Sequence, residues 1–121
     1  MKKLDKEIGL FMKKLREMPD FDRVKFVILF GSHASGKANK MSDYDIAVYY
    51  EGNDRERYNF RKEILGQVPD NFEVQIFQDL PLYVQKEVLK GKVIYVKDIG
   101  FVYDIAYETI KRFEDFKKYY Y

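Results

Sequence analysis

Two polar motifs that could bind a metal ion and a phosphate follow one another in the first half of the chain. Gly31 and Ser32 end an apolar run, and Asp43-Tyr44-Asp45 opens a second one after ten intervening residues. Asp43 and Asp45 lie two positions apart, so on a strand both carboxylates project from the same face. Like charges this close are tolerated mainly in water or around a cation. Hard oxygen ligands suit Mg²⁺, which takes one or two carboxylates together with substrate phosphates.

The Gly31-Ser32 pair supplies groups that suit an anion. Glycine lets the backbone approach a ligand closely, serine adds a hydroxyl, and free N–H groups at the start of a helix hold anionic oxygen. Together with the aspartate pair, these residues predict a metal–nucleotide site.

Length and composition predict one folded domain over residues 1–121, large enough for one core but not for two. Hydrophobic residues make up 46% of the chain and charged residues 35%, which is typical of a folded protein. The formal net charge is only +2, from 22 basic and 20 acidic residues. That balance argues against a dedicated nucleic-acid binder, so no direct contact with nucleic acid is expected.

Residue types that are rare or missing exclude several kinds of site. The chain has no cysteine and a single histidine, His33, which excludes disulfides, thiolate chemistry and zinc sites built on several imidazoles. The N-terminal residues are charged, and no apolar run approaches the ~20 residues needed to span a bilayer. We therefore expect a cytoplasmic protein without a membrane segment.

Hydrophobic periodicity predicts helices alternating with short strands. The predicted helices cover residues 3–17, 55–66, 79–91 and 98–118, the strands cover residues 24–30, 44–50, 72–77 and 92–97, and a short helix or turn covers residues 33–39. Asp54 is predicted to cap the second long helix, and Asp79 the third. This alternation implies a mixed sheet covered on one face, in an α/β or α+β sandwich.

The Gly-Ser pair followed by Asp-x-Asp resembles the DNA polymerase β-like nucleotidyltransferase superfamily. It is most similar to the smallest members, the minimal nucleotidyltransferase (MNT) domains, which include the MntA-type antitoxins of HEPN/MNT modules. The resemblance covers essentially the whole chain, because residues 72–95 are also similar to theirs. It implies the nucleotidyltransferase fold, a small mixed β-sheet flanked by helices. It further implies ATP as substrate and two Mg²⁺ ions at the site.

The resemblance also implies roles for individual acids. Asp43 and Asp45 are expected to bridge the two metal ions, and a third carboxylate from a neighbouring strand to complete the set. Glu73 is expected to be that third acid, because MNT domains commonly have one about eight residues before the proline of a Leu-Pro pair, here Pro81. The family more often has aspartate at that position. Asp79 is the weaker candidate.

Residues around the Gly-Ser pair are expected to contact the nucleotide. Gly31 and Ser32 would bind the β- and γ-phosphates through backbone N–H groups and the hydroxyl. Ser42 either contributes to nucleotide binding or only orients the loop before Asp43. Related domains often have arginine where Ser35 stands, and Lys37 or Lys40 could replace that contact. His33 could approach phosphate, but no catalytic role is assigned to it.

Two further groups of residues are open to more than one interpretation. A basic run is interpreted as a solvated helix face rather than a nucleic-acid patch; it consists of Arg55, Arg57, Arg61 and Lys62. Eight aromatic residues fall in the last 21 positions, namely Phe101, Tyr103, Tyr107, Phe113, Phe116, Tyr119, Tyr120 and Tyr121. They could form a protein interface, pack across the sheet, or serve as acceptor hydroxyls.

Two functions are therefore considered. The first is an active Mg²⁺-dependent transferase that moves AMP from ATP to a hydroxyl, with a tyrosine of a HEPN-type RNase toxin as the acceptor implied by the resemblance. The second is a catalytically inactive module that neutralises a HEPN-domain partner by occlusion alone. Transfer to a small molecule is a third possibility, and it would need a second domain or a cleft built by a dimer.

Overall fold

The structure is a computed structural model that describes residues 3–39 and 41–120. Its elements, in chain order, are α1 (Lys3–Arg16), β1 (Val24–Phe30), α2 (Ser32–Ser35), β2 (Tyr44–Tyr50), α3 (Asp54–Leu65), β3 (Phe72–Ile76), α4 (Leu82–Val88), β4 (Lys92–Val96) and α5 (Ile99–Tyr120). Short 3-10 turns precede β1 and follow β3. The four predicted strands and the long helices are confirmed, with ends that differ by a few residues.

The four strands form one mixed sheet in the order β3-β2-β1-β4. β1 runs antiparallel to both β2 and β4, whereas β2 and β3 are parallel. β2 and β3 can be parallel because α3 carries the chain back to the end of the sheet where β2 began. The predicted mixed sheet flanked by helices is confirmed, and it brings the beginnings of β2 and β3 to the same edge.

Helices cover both faces of the sheet, so the expectation of a single covered face was wrong. On one face α1 and α3 pack against the strands through buried residues that include Phe11, Leu15 and Ile64. On the other face α4 and α5 contribute Val88 and Val102. The physical reason lies in the central strand β1, where residues 26–29 are all buried. A strand that is apolar on both faces needs cover on both.

Two predicted helix caps differ from the structure. α3 is capped by Asn53 rather than Asp54: the Asn53 side chain accepts a hydrogen bond from the Glu56 N–H at 2.9 Å, and Glu56 accepts one from the Asn53 N–H at 2.9 Å. This reciprocal pair satisfies two N–H groups that the helix itself cannot. Asp79 does not cap α4, which begins after Pro81. It pairs with Arg57 instead.

Arg57 and Arg61 are structural, which corrects their interpretation as a solvated face. The Arg57 side chain is only 15% exposed and bonds to both carboxylate oxygens of Asp79, to Asp54 and to the Gly52 carbonyl. Arg61 donates from Nε to the Val74 carbonyl at 2.8 Å. Because β3 is an edge strand, this contact satisfies a carbonyl that could otherwise pair with another chain.

The last helix, α5, both packs on the sheet and exposes tyrosines. Val102 is buried and Ile105 packs beside it, while Tyr103 and Tyr107 are 68% and 69% exposed. The packing and the exposed-tyrosine interpretations thus each describe one side of this helix, and Tyr121 lies outside the described residues. Neither α5 nor any other helix in residues 3–39 and 41–120 has the length and apolar character to cross a bilayer.

Candidate active site

Asp45 and Glu73 lie side by side on neighbouring strands. Near the start of β2, Asp45 is opposite Glu73 of the parallel strand β3 and opposite Phe30 at the end of β1. Directly paired residues of adjacent strands point to the same face. The order across the sheet at this level is therefore Phe30, Asp45, Glu73.

The electrostatics of Asp45 place Asp43 in the same group. Asp45 is half-buried, whereas Asp43 and Glu73 are exposed. Burial raises the pKa of Asp45 above its usual value, and the negative charges of Glu73 and Asp43 raise it further, against a smaller opposite effect of His33. Both neighbours disfavour the charged form of Asp45 because like charges repel. Asp43 and Glu73 therefore both act on Asp45 at one edge of the sheet.

This donor set fits a divalent cation that is also bound by a substrate. Carboxylate oxygens are the ligands that Mg²⁺ prefers, and a cation beside Asp45 would relieve the repulsion described above. Among residues 3–39 and 41–120, no three acidic or imidazole side chains are grouped closely enough to hold an ion by themselves. Further oxygen ligands would thus be required, and Mg²⁺ commonly takes them from phosphates and water.

Gly31 lies directly against the Asp45 side chain. Its backbone has φ 72° and ψ −153°, a region that is essentially restricted to glycine. A Cβ on Gly31 would overlap Oδ2 of Asp45 and lie 3.0 Å from its Cγ. Glycine is therefore required here both for the turn from β1 into α2 and for the approach of the backbone to the carboxylate.

Ser32 begins the four-residue helix α2. The N–H groups of Ala34 and Ser35 both donate to the Gly31 carbonyl at 3.1 Å, so the turn is closed from its first residue. The first N–H groups of a helix, here those of Ser32 and His33, have no acceptor within the helix. At the other end Ser35 donates its hydroxyl to the Ser32 carbonyl at 3.2 Å.

His33 connects α2 to the loop that carries Asp43. Its Nε2 lies 3.1 Å from the carbonyl oxygen of Ser42. Its ring stacks on Tyr44 with centroids 3.9 Å apart, and Tyr44 stacks in turn on Phe72 at 4.7 Å. The rings thus link α2, β2 and β3 behind the acids. Sequence reasoning missed this role, and the available signal was a histidine next to Ser32 with an aromatic residue between the two aspartates.

Ser42 shapes the loop before Asp43. Its hydroxyl accepts a hydrogen bond from the Asn39 N–H at 3.0 Å, and its own N–H donates to the Asn39 carbonyl at 3.0 Å. Asn39 also accepts from the Met41 N–H at 2.8 Å through its side chain. These contacts correspond to the loop-orienting alternative for Ser42. Its participation in nucleotide binding remains a prediction.

A cavity of about 420 Å³ opens beside the Gly31 turn. It is lined by Phe30, Gly31, Ala34, Ser35, Glu87, Lys90 and Gly91. Lys37, one of the two lysines considered for phosphate contact, is exposed and does not line this cavity. Lys40, the other, lies outside the described residues. The cavity thus joins the end of β1 to the turn after α4.

Comparisons with known sequences cover the part of the chain that contains this site. The family model described as "Polymerase beta, Nucleotidyltransferase" matches residues 13–100, a range that contains Asp43, Asp45, Glu73 and the Gly-Ser turn. The chain is 40% identical over 70 residues to "Putative protein adenylyltransferase MJ1547" of Methanocaldococcus jannaschii. That match covers 57% of this chain and 53% of the relative, so the chain spans about half the length of the curated protein it matches.

Solved structures share the fold at low sequence identity. A chain of a toxin–antitoxin crystallised with AMP-PNP superposes with a TM-score of 0.70 and 19% identity, covering 93% of this chain and 90% of that one. A chain of the toxin–antitoxin MntA-HepT superposes with a TM-score of 0.67 and 16% identity, covering 94% of this chain and 90% of that one. A chain from the complex of a tri-AMPylated Shewanella oneidensis HEPN toxin with MNT antitoxin superposes with a TM-score of 0.68 and 16% identity, covering 94% of this chain and 89% of that one. At these identities the likeness shows the fold.

Proposed function

Because the chain belongs to the polymerase beta nucleotidyltransferase family, we propose that it transfers AMP from ATP, with Mg²⁺, to a hydroxyl of a partner protein. The observation that carries the proposal is the lateral pairing of Asp45 with Glu73, next to Asp43 and against the Gly31 turn. We further propose that the partner is a HEPN-type RNase toxin, that the acceptor is one of its tyrosines, and that the chain acts in the cytoplasm as an antitoxin.

The roles proposed for the acids are those that the family implies, and the pairing of Asp45 with Glu73 across the sheet supports them. Asp43 and Asp45 would bridge the two metal ions, and Glu73 would complete the ligands on the β3 side. When bound, Mg²⁺ neutralises phosphate charge and assists both the attacking and the leaving oxygen. Gly31 and Ser32, on the β1 side, would bind the β- and γ-phosphates through N–H groups and the Ser32 hydroxyl. Ser42 would hold the loop that places Asp43.

The order Phe30, Asp45, Glu73 across the sheet sets the sides of the site from which the acceptor enters and at which pyrophosphate leaves. The acceptor hydroxyl oxygen bonds to the α-phosphorus as the bond from that phosphorus to the bridging oxygen breaks, and pyrophosphate leaves with the bonding electrons. The acceptor enters from the β3 side, because the β1 side holds the triphosphate. Glu73 lies on the entry side, where its carboxylate can accept the proton that the hydroxyl loses.

The choice of a protein acceptor is supported by the relatives and by the exposed edge of the site. One relative carries the name protein adenylyltransferase, and a structural neighbour is a complex that contains a tri-AMPylated HEPN toxin. A tyrosine presented by a folded partner needs only an open site edge, and the exposed Glu73 lies at such an edge.

The test is transfer of label from α-³²P-ATP to a purified HEPN-domain partner in the presence of Mg²⁺. We expect labelled partner with wild type and with Asp104→Asn, an exposed aspartate on α5, and no labelled partner with Asp43→Asn. Tightly bound but unlabelled partner would instead identify an inactive module that acts by occlusion. Label on a small acceptor only would refute the protein-acceptor assignment.

A further inference from the structure

The cavity beside Gly31 begins where the acidic group ends. Phe30 is paired with Asp45 across the sheet, and the Gly31 backbone touches the Asp45 carboxylate. Both residues also line the cavity. Glu73 lies on the opposite side of Asp45. A triphosphate whose α-phosphate lies at the acids therefore extends along the Gly31 turn into this cavity.

The cavity has one basic side chain among the described residues that line it, which is Lys90. The other polar side chains of the lining supply no cation: Ser35 is uncharged and donates its hydroxyl to the Ser32 carbonyl at 3.2 Å, and Glu87 is acidic. Asp45, which contacts the Gly31 turn at the cavity, and Glu87, which lines it, are negative when ionised. A triphosphate tail is also strongly negative, so it needs a cation on this side in addition to any metal at the acids.

The backbone at Lys90 is held against the end of β1. The Gly91 N–H donates to the Val88 carbonyl at 2.8 Å, which closes the turn after α4. A Cβ at Gly91 would overlap the Leu29 carbonyl and lie 3.0 Å from Cγ2 of Ile28. Because only glycine permits this approach, Lys90 is placed close to Gly31.

The Lys90 side chain is free to exchange partners. Its Nζ lies 3.3 Å from Oε1 of Glu87, and the two side chains are 64% and 63% exposed. An exposed ion pair of this kind contributes little to stability. A phosphate oxygen with more charge competes well for the ammonium group, and lysine commonly binds phosphate as a point charge.

From these observations we propose that Lys90 binds the terminal phosphates of the nucleotide and supplies the positive charge that Ser35 does not. Glu87 holds the Lys90 side chain over the cavity when no nucleotide is bound. This assignment deepens the proposed nucleotidyltransferase function and rests on it.

Equilibrium binding of AMP-PNP and of AMP in Mg²⁺, measured by calorimetry, tests the proposal. We expect Lys90→Gln to weaken AMP-PNP binding roughly 10-fold, as for the loss of one charge-assisted hydrogen bond at a partly exposed site. AMP, which lacks the terminal phosphates, should bind wild type and Lys90→Gln equally. Lys90→Arg should retain AMP-PNP binding, and Lys62→Gln, at an exposed position of α3, should match wild type.

A compensating variant sharpens the test. Ser35→Arg places a cation on another residue that lines the same cavity, so adding it to Lys90→Gln should restore AMP-PNP binding. Binding of AMP-PNP to Lys90→Gln within twofold of wild type would overturn the role of Lys90 and leave the proposed function standing. Failure of wild type to bind AMP-PNP in Mg²⁺ would overturn both.

Discussion

Replacing Gly31 by alanine should destabilise the fold and stop nucleotidyl transfer through two separable effects. The first is backbone strain, because φ 72° with ψ −153° is a conformation that alanine adopts only at a cost. The second is a collision, because the new Cβ overlaps Oδ2 of Asp45 and forces that carboxylate away from its position next to Glu73.

The expected cost can be worked out from these two effects. Strain of this kind costs about 1–3 kcal/mol. Rotating the Asp45 side chain out of its preferred conformation adds roughly 1 kcal/mol. For a domain of this length 1 kcal/mol corresponds to a change in Tm of about 4 °C. We therefore expect Gly31→Ala to lower Tm by roughly 8–16 °C and to reduce transfer to background.

Gly36→Ala is the matched control. Gly36 also has a positive φ, 78°, but a Cβ there would meet nothing within 4 Å. It should cost only the roughly 1–2 kcal/mol of a left-handed alanine and leave transfer near the wild-type rate. Replacing glycine by alanine also lowers the conformational entropy of the unfolded chain, which stabilises the folded state by the same amount in both variants. This contribution therefore cancels when the two Tm values are compared.

Thermal unfolding and label transfer, measured on both variants, test whether the Gly31 turn positions Asp45. Gly31→Ala with a Tm and a transfer rate no lower than those of Gly36→Ala would refute the claim that the Gly31 turn positions Asp45. Adding Gly31→Ala to Asp45→Ala should cost less than in wild type, because the collision is removed and only the strain remains.

Three further perturbations test other parts of the molecule. The raised pKa of Asp45 means that the folded state binds a proton at this carboxyl more tightly than the unfolded state does, so the stability of the fold rises as pH falls through that pKa. Asp45→Asn should therefore raise the Tm of the Mg²⁺-free protein at pH 7 while abolishing transfer. An unchanged or lower Tm would contradict this. His33→Leu removes the contact with the Ser42 carbonyl. It should lower kcat roughly 10-fold with little change in the KM for ATP, because His33 positions the Asp43 loop without touching substrate. A change confined to KM would instead indicate direct contact with the nucleotide. Arg57→Met breaks the bonds between the largely buried Arg57 side chain and the exposed Asp79 and should destabilise by about 1–3 kcal/mol in thermal unfolding, with AMP-PNP affinity unchanged.

Much of the fold could be predicted from local pattern. The strands were visible because apolar runs such as residues 26–29 are bounded by turn residues. The helix caps were harder, since Asn53 and Asp54 are adjacent and equally suited, and only the backbone direction selects Asn53. Cover on both faces was missed because helix count does not say on which side of a sheet each helix packs.

The amino-acid sequence by itself determined which chemistry was possible. The spacing of Asp43 and Asp45 predicts carboxylates on a shared face, and the conformational freedom of glycine makes Gly31 a residue at which the backbone can approach an anionic ligand closely. Only the tertiary structure decided that Glu73 is the neighbour of Asp45, that His33 reaches Ser42, and that Lys90 and Ser35 line one cavity. The reason is physical: spacing along one strand follows from local geometry, whereas contacts between strands and helices depend on register and packing that are set by the whole core.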